Sequence, residues 1–300
     1  MAAGTRWADV GGLQLAYETF GSPGDPALLL VMGLATQMIA WPDPFCEELA
    51  GSGRYVVRFD NRDTGLSTHL SELPVPTPAR ALLRLDRAPY SIDDMAADAV
   101  GLIDALGLGT VDVVGASMGG FIAQTVALQS PGRVRTLTLM MTSTGSWRVG
   151  RPGLRTLWKL VRRGVVEGRE GVQDAAVAVY GLIGSRAPLF DEHFVRDVAG
   201  RAYDRGLDPA GDARQLAAVL TQANRTRGLR ALTIPTLVIH GLDDRLVAPT
   251  GGLALARTIP SARFIGYHGM GHDLPPSLWS ELAHQIAAHA HRREPTARAG

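Results

Sequence analysis

Short apolar runs alternate with helical segments along most of this chain, and this alternation limits the folds that it can adopt. The apolar runs lie at residues 7–10, 13–19, 27–32, 54–59, 110–114, 134–141, 236–240 and 263–267. Segments with helical spacing lie at 91–106, 118–129 and 278–291. Strands that alternate with helices build a mainly parallel sheet with helices on both faces. We therefore predict an α/β fold with an eight-stranded sheet, whose first two strands form an antiparallel hairpin around Gly11 and Gly12.

The alternation stops between residues 145 and 230, where little strand signal is present. Apolar residues recur at helical spacing from Leu154 to Val165, and further helical stretches follow up to the Ile234-Pro235 step. We predict a helical cap over 145–230, inserted after the sixth strand. The core would then consist of residues 1–144 and 231–300.

Charge is unevenly divided between these two parts. The predicted cap has 15 basic and 9 acidic residues, a net charge of +6, whereas the remainder has 15 basic and 20 acidic residues, a net charge of −5. One explanation of this uneven charge is that the two parts attract each other. Another is that Arg155, Arg162 and Arg163 form a solvated helix face. The functional alternative is a pocket mouth that prefers anionic substrates.

The whole chain is nearly neutral, with 30 basic and 29 acidic residues, which argues against nucleic acid as a partner. Lys159 is its single lysine and does not follow a glycine, so a Walker loop is excluded. The zinc-protease pattern HExxH and the dinucleotide pattern GxGxxG are also missing from the sequence. We therefore predict neither a cofactor nor a metal site.

The longest run of apolar and glycine residues covers only residues 27–35, whereas a membrane span needs roughly 20. No charged stretch followed by an apolar run opens the chain, so we expect neither a signal peptide nor a membrane span. Cys46 is the single cysteine, which excludes an intrachain disulfide. These features favour a cytoplasmic location. No sequence feature indicates an oligomeric state.

The segment Gly115-Ala-Ser117-Met-Gly119 lies between a predicted strand and a predicted helix. The five-residue pattern alone is a weak signal in a glycine-rich chain, but its place at a strand-to-helix junction is specific. A serine in this tight turn needs strained backbone geometry, and side chains at 115 and 119 would collide there. Ser117 is therefore a candidate nucleophile, and an ordinary turn serine is the alternative.

These residues resemble the α/β-hydrolase superfamily, and the resemblance extends over essentially the full length of the chain. Two further motifs, RFDNRDTGLS at 58–67 and GMGHDLP at 269–275, resemble the branch that contains aclacinomycin methylesterase. The resemblance implies a mainly parallel eight-stranded sheet flanked by helices, with a helical cap after strand 6. It also implies a nucleophilic serine supported by a histidine and a carboxylate.

The resemblance assigns the base to His272, between the last strand and the last helix, and His268 is its rival four residues earlier. In similar enzymes the acid stands three residues after the glycine that follows the strand predicted here at 236–240. That glycine is Gly241, so the resemblance assigns the acid to Asp244. The adjacent Asp243 is the alternative. The order Ser117, Asp244, His272 agrees with that of hydrolases of this kind.

Two backbone N–H groups, those of Met118 and Leu34, are predicted to form an oxyanion hole. Related enzymes often have a histidine where this chain has Met32, so the bracing of the turn around Leu34 is in question. We also predict that Met38, Trp41 and Met270 contact substrate, with plain core filling as the alternative. The loop at 60–67 is interpreted as a turn held by local hydrogen bonds.

The sequence thus predicts a serine carboxylic-ester hydrolase that forms an acyl-enzyme on a small to medium ester, as a carboxylesterase or a methylesterase does. The same site could instead serve C–C bond hydrolysis, perhydrolysis or acyl transfer, and a non-catalytic protein could share the fold. The predicted partner is a small-molecule ester.

Overall fold

One eight-stranded sheet organises the computed structural model, which describes residues 4–77, 88–161 and 166–291. The strands are β1 (Arg6–Val10), β2 (Leu13–Phe20), β3 (Ala27–Val31), β4 (Tyr55–Phe59), β5 (Val111–Ala116), β6 (Val134–Met140), β7 (Thr236–Gly241) and β8 (Ala262–Tyr267). Their order across the sheet is β1-β2-β4-β3-β5-β6-β7-β8. β2 pairs antiparallel with β1 and with β4, and all other neighbours are parallel. The predicted α/β sheet with its opening hairpin is confirmed.

Helices lie on both faces of the sheet, and others lie between β6 and β7. They are α1 (Asp43–Gly51), α2 (Ile92–Ala105), α3 (Met118–Gln129), α4 (Leu154–Val161), α5 (Gly168–Ile183), α6 (Glu192–Arg205), α7 (Pro209–Thr221), α8 (Thr226–Leu229), α9 (Thr250–Thr258) and α10 (Trp279–His291). None of the helices in the described ranges is long and apolar enough to cross a bilayer.

Helices α4 to α8 all lie between β6 and β7, and they are called the cap helices below. The structure therefore has helices where the sequence lacks strand signal. The division into a core and a separate cap domain, with boundaries at 144/145 and 230/231, stays a prediction. Arg162, Arg163 and Val165, which the helical interpretation of this stretch includes, lie outside the described residues.

The central strands are buried on both faces, as their continuous apolar sequences predict. Every residue of β3 is buried, and successive residues face opposite sides of the sheet. Leu29 and Val31 join the cluster that contains residues of α2 and α3, whereas Leu28 and Leu30 join the cluster that contains residues of α1 and α10. Two apolar layers thus hold the carboxyl ends of the parallel strands in place.

A sharp turn connects β5 to α3 at Ser117, whose φ of +55° lies in the left-handed region. The turn is possible because both flanking positions lack side chains. A Cβ at Gly115 would collide with the carbonyl oxygen of Gly119, and a Cβ at Gly119 would collide with the carbonyl oxygen of Val31 in the adjacent strand. The collision expected from the sequence is therefore present at both glycines.

The close approach at Gly119 predicts a large loss of stability when a methyl group is added. Gly119→Ala should lower the free energy of unfolding by about 3 kcal/mol or more, because backbone rather than a flexible side chain must move. Gly181→Ala, in α5, is the matched control, since nothing lies within 4 Å of its added Cβ. That control should change stability by no more than about 1 kcal/mol, in the stabilising direction. Denaturant unfolding of both variants checks this, and equal stabilities would contradict it.

Candidate active site

Ser117 occupies the junction where β5 ends and α3 begins. Its backbone N–H donates to the carbonyl of Met140 in the neighbouring strand β6, at 2.9 Å. The first N–H groups of α3 have no partners within the helix, and they carry the positive end of the helix dipole. The hydroxyl of Ser117 therefore stands at the carboxyl edge of the sheet, beside a region of positive potential.

His272 reaches Ser117 from the loop between β8 and α10. Its Nε2 lies 3.0 Å from Ser117 Oγ, and its Nδ1 lies 2.7 Å from Asp244 Oδ2. The backbone N–H of His272 donates to the carbonyl of Ile183 at the end of α5, at 2.8 Å. The rival His268 is exposed in the turn after β8. Of these two histidines, the structure brings His272 to the serine.

Asp244 is placed by the turn that follows β7. Its Oδ1 accepts hydrogen bonds from the backbone N–H groups of Leu246 and Val247, at 2.9 and 2.8 Å, which leaves Oδ2 facing His272. The alternative acid, Asp243, instead accepts from the N–H of Gly269 at 2.9 Å and pairs with Arg186 at 2.6 Å. Asp243 thus supports the loop that carries the histidine, and Asp244 contacts the imidazole itself.

The two buried groups shift each other's protonation. Burial alone would raise the pKa of the Asp244 carboxyl, but the charge of His272, with hydrogen bonds from His240 and His272, lowers this pKa to about 2. Burial would likewise lower the pKa of His272, but the charge and hydrogen bond of Asp244 raise it above its ordinary value of 6.5. The carboxylate therefore stays ionised and makes the imidazole a stronger base.

The turn after β3, residues 32–36 and below called the Leu34 turn, packs against the serine. A Cβ at Gly33 would lie 3.1 Å from Ser117 Cβ, so the glycine allows this backbone to approach the nucleophile. The oxyanion hole formed by the backbone N–H groups of Leu34 and Met118 stays a prediction. Asn61 Nδ2 donates to the carbonyl of Met32 at 3.1 Å. This bond braces the turn from the loop at 60–67.

Comparison with known proteins places this geometry in a family. A family model described as "alpha/beta hydrolase fold" matches residues 26–276. The chain belongs to the α/β-hydrolase family.

Several relatives of this α/β-hydrolase have named activities. It is 30% identical to rhodomycin D methylesterase DnrP of Streptomyces peucetius, over 91% of this chain and 93% of the relative. It is 32% identical to 2-hydroxymuconate semialdehyde hydrolase of Pseudomonas putida, over 62% of each chain. The crystal structure of the enol-lactonase from Burkholderia xenovorans LB400 has a TM-score of 0.74 and 22% identity, covering 95% of this chain and 100% of that one. The chain is a hydrolase, and its predicted resemblance to a methylesterase branch is confirmed.

The side chains predicted to contact substrate lie in the packed interior of this α/β-hydrolase. Met38, Trp41 and Met270 are all 0% exposed. Trp41 stacks on Phe45 with ring centroids 5.7 Å apart, and both Trp41 and Met270 belong to the cluster on the α1 face of the sheet. Core packing explains these positions, and a role in substrate binding stays a prediction.

One member of the site was not assigned from the sequence. His240, at the end of β7, is fully buried, as expected for a packed histidine, but its Nε2 also lies 3.5 Å from Asp244 Oδ2. The same nitrogen lies 2.8 Å from the carbonyl of Val247. The i, i+4 spacing of His240 and Asp244 was visible in the sequence, but only the chain reversal after β7 brings them together.

A second group of polar side chains has the spacing of metal ligands. Donor atoms of Asp63, His69 and Asp208 lie within 4.8 Å of one another. The guanidinium of Arg214 contacts both oxygens of Asp63 at 2.8 Å and Asp208 at 3.3 Å, while His69 Nδ1 lies 2.8 Å from Asp208. A cation already compensates these carboxylates, so we interpret the group as an ion-pair network that joins α7 to the 60–70 loop.

The contacts of the two aspartates predict unequal effects of substitution. Asp244→Asn should lower kcat/KM for an activated ester by about 10³-fold or more, because the imidazole loses its orienting anion. Asp243→Asn removes a carboxylate that binds Gly269 and Arg186 rather than the imidazole, so its loss should stay within about tenfold. Steady-state kinetics of both variants checks this order, and the reverse order would assign the acid to Asp243.

The raised pKa of His272 predicts the acid limb of the pH profile. Only the neutral imidazole can accept the proton of Ser117, so activity is lost as the pH falls through this pKa. The midpoint of the limb in kcat/KM should therefore lie above 6.5. A profile of the wild-type enzyme from about pH 5 to pH 9 measures it. A midpoint below 6.5 would contradict this and show that burial outweighs the stabilisation of the imidazolium by Asp244.

Proposed function

We propose that this α/β-hydrolase cleaves carboxylic esters through an acyl-enzyme formed on Ser117. The observation that carries the proposal is the continuous chain of contacts from Asp244 to His272 to Ser117, at 2.7 and 3.0 Å. A serine hydroxyl is a weak nucleophile at neutral pH and needs such a base. The backbone N–H groups of Leu34 and Met118 supply the complementary electrostatic stabilisation.

In the first half of the reaction, His272 Nε2 accepts the proton of Ser117 while Oγ attacks the ester carbonyl carbon. The carbonyl oxygen becomes an oxyanion, which the N–H groups of Leu34 and Met118 bind. His272 then donates its proton to the leaving alcohol as the C–O bond breaks. In the second half, a water molecule loses a proton to His272 and attacks the acyl-enzyme. His272 then returns this proton to Ser117 Oγ as the bond between Oγ and the acyl carbon breaks, which releases the carboxylic acid and regenerates Ser117.

The likeness to rhodomycin D methylesterase, over nine-tenths of both chains, supports a methylesterase or carboxylesterase that acts on a small to medium ester. The residues proposed for the reaction are all within the chain, so we propose no cofactor or metal. The partner is then a small-molecule ester.

A second candidate function is hydrolysis of a C–C bond at the same site. The identity to 2-hydroxymuconate semialdehyde hydrolase over about three-fifths of each chain favours it. Ester hydrolysis and C–C hydrolysis both require a base, a nucleophile and an oxyanion hole, so the distances in the site do not distinguish one reaction from the other. Ester hydrolysis is preferred because the methylesterase likeness spans more of the chain.

A cytoplasmic location stays a prediction from the sequence. Cys46, on which it partly rests, is completely buried, and burial raises the pKa of its thiol to about 12. This cysteine is therefore unreactive at neutral pH, and the proposed mechanism gives it no role.

A panel of p-nitrophenyl esters of increasing acyl length, together with methyl esters of bulky acids, tests the function. The wild-type enzyme should hydrolyse at least one class, and Ser117→Ala should abolish turnover while it changes the free energy of unfolding by no more than about 1 kcal/mol. Preference for short acyl chains indicates a general esterase, and turnover of bulky methyl esters alone indicates a biosynthetic methylesterase. Turnover that survives in Ser117→Ala would refute the proposal.

The second candidate has its own outcome in the same experiment. A wild-type protein that is folded, hydrolyses no ester and cleaves a 2-hydroxymuconate semialdehyde would move the assignment to C–C hydrolysis. His272→Ala should be about as damaging as Ser117→Ala in either reaction, because both need the base. A larger loss from His268→Ala would contradict the assignment of the base.

A further inference from the structure

A cap helix reaches the backbone next to the proposed oxyanion hole. Gln215, in α7, is 0% exposed, and its Oε1 accepts a hydrogen bond from the backbone N–H of Ala35 at 2.9 Å. Ala35 directly follows Leu34 and has a φ of +54°, a conformation that costs free energy for a residue with a side chain. Such a conformation persists only where the surroundings hold it.

The Leu34 turn is held at three backbone positions. Asn61 Nδ2 donates to the carbonyl of Met32 at 3.1 Å, and Thr36 Oγ1 donates to the carbonyl of Leu34 at 2.8 Å. Gln215 supplies the third bond, to the N–H of Ala35. The peptide between Leu34 and Ala35 is therefore held at both its carbonyl and its N–H. The N–H of Leu34 belongs to the Gly33–Leu34 peptide, which lies between this held peptide and the held carbonyl of Met32.

Gln215 is itself fixed by two further contacts. Its Nε2 donates to the carbonyl of Arg62 and to Thr64 Oγ1, both at 2.7 Å. Because the amide nitrogen must face the carbonyl of Arg62, the amide oxygen must face the N–H of Ala35. The neighbouring Arg214 anchors the same helix to Asp63, so α7 cannot move away from this loop without breaking a buried ion pair.

We propose that Gln215 is a positioning residue, which orients the Leu34 N–H toward the oxyanion through Ala35. The proposal rests on the proposed role of the Leu34 N–H. It also explains how the turn is held although Met32 stands where related enzymes often have a histidine. The cap would thereby contribute to the rate of the chemical step and not only to the shape of the pocket.

The test measures labelling of Ser117 by a fluorophosphonate probe, whose phosphoryl oxygen uses the oxyanion hole and which needs no knowledge of the natural substrate. Gln215→Met keeps the side-chain volume but removes all hydrogen bonds. Gln215→Glu keeps an acceptor for the N–H of Ala35 and removes the amide donor. Gln173→Met is the matched control. Gln173 Nε2 also donates to a backbone carbonyl, that of Arg196, at 2.9 Å, but both residues lie in the cap helices, so this bond does not hold the Leu34 turn.

We expect the maximal labelling rate of Gln215→Met to fall about tenfold or more, with the half-saturating probe concentration changed less than about threefold. Gln215→Glu and Gln173→Met should label within about threefold of wild type. Wild-type labelling in Gln215→Met, or an equal loss in Gln173→Met, would overturn the proposal.

Thermal unfolding of each variant is measured to show that it is folded. If Gln215→Met does not fold, Gln215→Asn replaces it, because its shorter amide cannot reach both the N–H of Ala35 and the carbonyl of Arg62: a loss of about tenfold supports the proposal, and near wild-type labelling overturns it.

The same experiment separates this proposal from the proposed function. If wild type labels at Ser117 but hydrolyses no ester, the proposed ester hydrolysis is wrong, while the comparison of Gln215→Met with wild type still decides the positioning role. If wild type hydrolyses esters and Gln215→Met is unchanged in both labelling and kcat/KM, the function stands and the positioning role is wrong.

Discussion

The contact between the first turn of α3 and the backbone of β3 is the constraint on which the rest of the site depends. No side chain fits between Gly119 and the carbonyl of Val31, so the helix begins directly against the end of the neighbouring strand. Because β3 and β5 are adjacent and parallel, the Leu34 turn and Ser117 emerge side by side at the same edge. Strand order thus brings the nucleophile and the proposed oxyanion donors to one place, and long-range side-chain contacts such as that of Gln215 then hold the Leu34 turn there.

The acid and the base come from the two strands beyond β6 in the sheet, β7 and β8. β7 and β8 are parallel to each other and end at the same edge, so Asp244 and His272 leave the sheet close together. Burying this acid and base would be costly for each alone, but each stabilises the charged form of the other. The backbone N–H groups of Leu246 and Val247 occupy the second carboxylate oxygen, which leaves a single oxygen to orient the imidazole.

Sequence reasoning predicted the parts of the molecule that local chemistry determines. The helix predicted from residue 91 is one example, because a local capping box begins α2: Ser91 Oγ accepts from the N–H of Asp94, and the Asp94 carboxylate accepts from the N–H of Ser91. The strand-to-helix turn at Ser117 is another, because its glycines are local requirements. The interpretation of the 60–67 loop as a locally bonded turn was incomplete, since Asn61 binds Met32 and Gln215 binds Arg62. Contacts between residues as distant in sequence as Gln215 and Ala35 leave no periodic signal, so only the folded structure reveals them.

The cap helices are joined to the core by charge as well as by Gln215. Arg205, in α6, pairs with Asp60 at 2.5 Å, and Arg214 pairs with Asp63 at 2.8 Å, so part of the positive excess of this region neutralises buried core carboxylates. Asp60 in turn accepts the N–H of Met38, at 2.6 Å, just beyond the Leu34 turn. Removing either arginine would leave an uncompensated buried carboxylate, which is strongly destabilising. These two ion pairs hold α6 and α7 beside the Leu34 turn, whereas Arg186 pairs with Asp243 beside the loop that carries His272, so charge joins the cap helices to both sides of the nucleophile.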